Sequence, residues 1–117
     1  MESKTAYMFN RRVVQNFLDI IILKHLKNNS SISGYDVIKF LHKRFHMLPS
    51  PGTVYSLLYS LERQNLIEGT DNKGKRIYTL TSDGERLLNQ LCGTKNHIQA
   101  IITSIFSEAQ KTSILNI

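Results

Sequence analysis

Hydrophobic positions along the chain change their spacing several times, and each change marks an element. Over residues 9–27, Val13, Phe17, Ile20, Ile21, Leu23 and Leu26 recur at helical intervals. That stretch contains neither Gly nor Pro, so one continuous helix is expected, ended by Asn28-Asn29-Ser30-Ser31. Residues 1–8 lack the pattern and are expected to fray. A second apolar face follows at Val37, Ile38, Leu41 and Phe45, with Ser33 placed to cap the helix N-terminus. Lys39, His42, Lys43 and Arg44 lie on its other face or at its C-terminal end, where cations complement the helix dipole. After the connection His46-Met47-Leu48-Pro49, Ser50-Pro51 starts a third helix, Ser as cap and Pro at the first helical position. Val54, Leu57, Leu58 and Leu61 form its buried stripe, and Asn65 closes it.

The pattern then becomes strand-like over residues 66–71 and 75–80, with β-forming Ile77-Tyr78-Thr79-Leu80 in the second run. Asn72-Lys73-Gly74 between them is a turn signal. Thr81 or Ser82 caps a last helix, and Ser82 with Glu85 has capping-box spacing. Leu88, Leu91, Lys95, Ile98, Ile102, Ile105 and Ala109 then alternate in steps of three and four, as in a coiled-coil seam. Lys95 interrupts the seam, and Gly93 weakens the helix by about 1 kcal/mol. Residues after Lys111 are expected to be loose.

This order predicts a mainly α fold with a small β-hairpin: a winged helix-turn-helix over residues 9–80 and a long C-terminal dimerisation helix over 81–117. Leu88, Leu91, Ile98, Ile102 and Ile105 are the expected dimer contacts. The sequence leaves two points open: whether the last helix runs unbroken past Gly93, and whether its stripe meets a partner, packs only on the chain's own first helix, or does both.

Composition fits a globular chain, with 117 residues, 41% hydrophobic and 21% charged. The formal charge of +6 is unevenly placed. Twelve of the fifteen Lys and Arg lie in residues 1–80 with six of the nine acids, so the whole excess precedes Thr81. Such asymmetry suits a polyanionic partner, although a merely soluble basic protein has it too. The one cysteine, Cys92, permits no intrachain disulfide and fits a reducing cytoplasm; set among Leu87, Leu88 and Leu91, it is expected to be a buried structural thiol. The apolar run at residues 20–23 is far too short for a signal peptide or membrane span. His42 and His46 are four apart but have no Cys or carboxylate nearby, so no metal site is expected. No nucleophile–base grouping and no phosphate-cradling Gly loop appears, so neither an enzyme nor a cofactor is expected.

Candidate chemistry concentrates on the third helix. With its buried stripe removed, the remaining face holds Thr53, Tyr55, Ser56, Tyr59, Ser60 and Arg63, with Glu62 at its margin. Hydroxyls donate to phosphates or base edges, and tyrosine stacks or donates. Ser50 marks the helix start, whose backbone N–H groups suit a phosphate. The hairpin loop adds Lys73, Lys75 and Arg76, which give affinity with little sequence information. The expected partners are double-stranded DNA and a second copy of the chain. Two other roles remain open: plasmid partition or replication termination on DNA, and a winged-helix module that binds protein.

These residues resemble a known family. Gly34-Tyr35-Asp36-Val37, then Pro51-Gly52-Thr53-Val54-Tyr55 with Leu58 and Leu61-Glu62, then Leu66-Ile67, then Arg76-Ile77-Tyr78-Thr79-Leu80-Thr81 with Gly84, look like the PadR-like transcriptional regulators. The resemblance covers roughly residues 12–90. It implies a homodimer with a repressor role at promoters, DNA read by the third helix and wing, and Tyr55 on the DNA-facing surface. It also implies the branch with a single C-terminal dimerisation helix. The family often carries Arg after that tyrosine, where this chain has Ser56 and Ser60, so base preference does not carry over. Some short members bind flat aromatic drugs through a tryptophan in the last helix; this chain has no Trp, and no effector is named by its sequence.

Overall fold

The computed structural model describes residues 3–107. Helices α1 (Lys4–Asn16) and α2 (Leu18–Asn28) lead into a short strand β1 (Ile32–Ser33). Helices α3 (Gly34–Phe45) and α4 (Pro51–Arg63) form the helix-turn-helix, and β2 (Ile67–Asn72) with β3 (Lys75–Leu80) forms the wing. Helices α5 (Ser82–Cys92) and α6 (Lys95–Phe106) follow. The predicted fold class holds: the chain is mainly helical with a small antiparallel sheet in a winged-helix arrangement.

Local chemistry sets the key junctions. Asp36 N–H donates to Ser33 Oγ (3.2 Å) and Ser33 N–H donates to Asp36 Oδ2 (2.9 Å), a reciprocal capping box at the start of α3. The Ser33 backbone N–H holds the Asp36 carboxyl below its ordinary pKa. Ser50 caps α4 by accepting from Thr53 N–H, with Pro51 at the first helical position. Asn65, just past the α4 C-cap, adopts φ 62°, and this left-handed residue turns the chain into β2. The wing closes through Lys73 (φ 54°) and Gly74 (φ 80°). Two successive positive φ angles match the twist of the flanking strands.

The core joins Ile22, Leu23 and Leu26 of α2 to Val37 and Leu41 of α3, Val54, Leu58 and Leu61 of α4, Ile67 and Tyr78 of the sheet, and Leu88 of α5. β3 is the central strand, pairing with β2 from Ile67–Leu80 to Asn72–Lys75 and with β1 at Ile32–Tyr78. The sequence pattern does not reveal β1, because two residues carry no periodicity.

Three expectations are corrected, and the open choice between Thr81 and Ser82 is settled. The first helix is two helices: Phe17 leaves helical geometry at φ −113° and ψ 18°, and its N–H is shared between the Val13 and Val14 carbonyls. Residues 4–8 are helical rather than frayed, because Ser3 accepts from Ala6 N–H and caps α1. Thr81 rather than Ser82 caps α5, accepting from Gly84 N–H at 3.0 Å. Cys92 is exposed rather than buried; it ends α5, whose buried face is centred on Leu88. The open point at Gly93 resolves as a break, with Thr94 Oγ1 donating to Leu91 O at 2.6 Å. Ala109 and the residues after Lys111 lie outside the described residues.

Candidate nucleic-acid interface

Packing decides which face of α4 meets solvent. Val54 and Leu58 are fully buried and Leu61 nearly so. That turns Thr53, Tyr55, Ser56, Tyr59, Ser60 and Arg63 outward, and all six are exposed, as is Ser50 at the cap. Tyr55 is 47% exposed and Tyr59 63% exposed, too much for either to be a core residue. Tyr55 nevertheless has a seat: its ring lies against the backbone of Gly34 at the start of α3. The Arg63 guanidinium sits 5.7 Å above the Tyr59 ring, a distance at which cation and ring attract. Ser60 Oγ accepts from Gln64 Nε2 at 3.0 Å, which leaves its own O–H to donate outward.

Sequence reasoning passed over one nearby pair. Tyr35, 59% exposed, and Lys39 share an outer face of α3, with the Lys39 ammonium 5.1 Å from the Tyr35 ring centre. The signal was present in the spacing, four residues apart on a helix.

The three wing cations are placed differently from one another. Lys73 and Lys75 stand exposed at the hairpin tip and make no ion pair among the described residues. Arg76 is turned back: Nη2 lies 2.5 Å from Glu62 Oε2 on α4, and Nη1 lies 3.5 Å from Asp71 Oδ1. The hydrogen bond to Glu62 raises the Arg76 pKa further, so the guanidinium is charged at every relevant pH.

The predicted dimer residues also separate. Leu88 is 1% exposed inside the chain's own core, so its side chain faces α2 rather than a partner. Leu91 and Ile98 are half-buried. Ile102 and Ile105 are exposed on α6, together with Ile101 and Phe106. Helix α1 has no buried residue and exposes Tyr7, Met8, Phe9 and Val13. Between α1 and α6 runs an apolar groove of about 390 Å³ lined by Phe9, Val13, Ile102 and Ile105 among others.

No group of three or more His, Cys, Asp or Glu that could hold a metal comes together among the described residues. No described helix is long and apolar enough to cross a membrane.

Solved structures share this architecture. A PadR family transcriptional regulator from Eggerthella lenta matches 91% of this chain and 95% of its own with a TM-score of 0.75 and 21% identity. A PadR family transcription regulator from Clostridium difficile matches 78% of this chain and 99% of its own, with a TM-score of 0.68 and 24% identity. F93 from STIV, described as a winged-helix DNA-binding protein, matches 78% of this chain and 92% of its own, with a TM-score of 0.56 and 23% identity. At these identities the likeness establishes the fold. Among curated protein sequences no relative matches. A family model for transcriptional regulators, not enzymes, matches residues 22–90, which span the helix-turn-helix, the wing and most of α5. The chain belongs to the transcriptional regulator PadR-like family.

Proposed function

We propose that this regulator is a homodimeric, sequence-specific DNA-binding repressor acting in the cytoplasm on an inverted-repeat operator. One observation carries the reading: α4 exposes a face of hydroxyls, two tyrosines and Arg63, beside a wing tip that presents Lys73 and Lys75. Ser50, Thr53, Tyr55, Ser56, Tyr59, Ser60 and Arg63 enter the major groove or meet its phosphate walls. Lys73 and Lys75 neutralise phosphates, and Arg76 acts by fixing the wing on Glu62.

The homodimer is supported by the apolar faces of α1 and α6. Phe9, Val13, Ile102, Ile105 and Phe106 are each between 42% and 75% exposed, and a contiguous apolar surface of this kind marks an interaction site. A twofold dimer sets its two reading helices about 34 Å apart, one turn of duplex. Bound at a promoter, such a dimer excludes polymerase, which is the repressor role.

Footprinting on DNA upstream of the chain's own gene, with selection from a random pool, tests this. The expected result is a protected inverted repeat whose affinity falls steeply with salt. Failure to protect or select any palindromic site overturns it.

A further inference from the structure

Beside α4, along its Thr53, Ser56 and Ser60 stripe, lies an open groove of about 830 Å³. Its far wall is the α1–α2 junction, brought there by the break at Phe17. Gln15, Asn16 and Asp19 line that wall, facing Thr53, Ser56 and Ser60.

The chemistry of this groove is one-sided. Asp19 is the one charged residue that lines it. The Gln15 carboxamide is exposed and has no hydrogen-bond partner among the described residues. Asn16 differs, because its Nδ2 already donates one hydrogen bond, to Arg12 O at 2.9 Å, leaving one N–H and the carbonyl oxygen. Asp19 Oδ1 accepts from Ile20 N–H at 2.8 Å.

A helix about 10–12 Å across fills a major groove about 12 Å wide. Whatever stands beside such a helix therefore meets a sugar–phosphate strand. We propose that the groove between the α1–α2 junction and α4 receives one strand of the duplex, with Gln15 donating to a phosphate and Asp19 limiting the affinity. The inference rests on the DNA-binding reading above and extends it to residues outside the helix-turn-helix and wing. The lining of the groove contrasts with the wing tip: Lys73 and Lys75 meet the duplex there, whereas neutral side chains with one acid meet it in the groove. A carboxylate facing phosphates costs affinity; because Asp19 also sits in the first turn of α2, replacing it should lower stability somewhat yet tighten binding, a gain that misfolding cannot imitate.

The test is fluorescence anisotropy of a labelled duplex taken from the random-pool selection, with full-length wild type, Q15A, D19N and D19K at several salt concentrations. D19K is expected to tighten binding about tenfold at low salt and to steepen the log K against log salt slope by about one. D19N should tighten it about threefold without steepening the slope as far. Q15A should weaken binding about fivefold, with the ranking of sequences unchanged. If D19K and D19N bind like wild type with the same slope, the groove does not meet DNA and the inference fails, while the α4 reading stands. If wild type binds no duplex at any salt, the DNA reading fails and this one with it.

Discussion

The phenol ring of Tyr55 occupies the space that a side chain at position 34 would need: a β-carbon on Gly34 would lie 2.3 Å from Tyr55 Cε1 and 3.0 Å from its hydroxyl. The two residues belong to different helices of the helix-turn-helix, and their contact aims the tyrosine from α4 across the start of α3. Gly34→Ala has two opposing effects. Alanine is favoured over glycine in a helix by about 1 kcal/mol, but its methyl group pushes the ring off its seat. The ring is an exposed side-chain end and can swing away, so the melting temperature should hardly move. DNA affinity should fall about fivefold, the loss expected when one aimed hydrogen bond is misplaced. Calorimetry with anisotropy on the same sample separates the two; an unchanged affinity in G34A would mean that Tyr55 is not aimed by this contact.

Arg76 and Glu62 give a second prediction. If Arg76 serves by holding the wing to α4, the partners are exchangeable in sign. R76E alone should weaken DNA binding strongly, by about tenfold or more, because it adds an acid at the interface and frees the wing. The swap R76E/E62R should recover most of that loss. If Arg76 instead contacts a phosphate directly, the swap recovers nothing. Double-mutant analysis of duplex affinity distinguishes the cases.

Much of this fold was legible because its rules are local. The caps at Ser33 and Ser50, Pro51 at its helix start, the stripe from Val54 to Leu61 and the Lys73-Gly74 turn each follow from a few adjacent residues. What escaped was non-local or too short. The break at Phe17 has no Gly or Pro to announce it, and β1 is two residues long. The pairing of Arg76 with Glu62 spans fourteen positions, and charge counting treats both as free. The heptad spacing through Leu88 was real, but spacing alone does not distinguish a partner's surface from the chain's own core. The α4 reading face was recoverable because removing the buried positions of a helix leaves the exposed ones.

Gly84 controls how α5 docks. A β-carbon there would lie 2.0 Å from the Leu66 carbonyl oxygen and 2.7 Å from Leu80 Cδ1. The Leu66 carbonyl is already fixed, accepting from Thr81 N–H at 3.2 Å, so the backbone has little room to yield. Gly84→Ala should therefore destabilise the fold by about 2 kcal/mol, within the usual range for overpacking. For a domain of this size that is a drop of roughly 8–16 °C in melting temperature. Thermal unfolding measures it, and a drop of under about 2 °C would contradict the close approach.

His25 makes stability depend on pH. Its ring stacks on Phe40 with centroids 3.9 Å apart, and Asn29 Nδ2 lies 3.3 Å from its Nδ1. Burial lowers its pKa below the ordinary 6.5, only partly opposed by the Asp36 charge. Folding thus favours the neutral ring. This contribution is complete above about pH 6.5 and is lost as pH falls through that value and past the lower folded-state pKa. The melting temperature should be lower at pH 5.5 than at pH 7.5. His25→Phe keeps a ring on Phe40 without a titrating group, and should flatten the profile over that window. The Asp36 capping box contributes separately: its depressed pKa makes the loss of stability begin below about pH 4.

The dimer prediction turns on Ile105, 69% exposed on α6. A residue so exposed contributes little to the fold of one chain, so a charge there is tolerated in the monomer. In a dimer built on α1 and α6, Ile105→Glu buries an unpaired carboxylate, which costs several kcal/mol. Ile105→Glu should therefore run as a monomer in multi-angle light scattering while its circular dichroism stays that of wild type. Duplex affinity should fall with it, because two linked half-sites bind far more tightly than one. Each isolated half-site should still be bound as before, since α4 and the wing are untouched. A variant that stays dimeric moves the interface off α6. A monomeric variant with full affinity for the whole operator refutes the coupling between dimerisation and recognition.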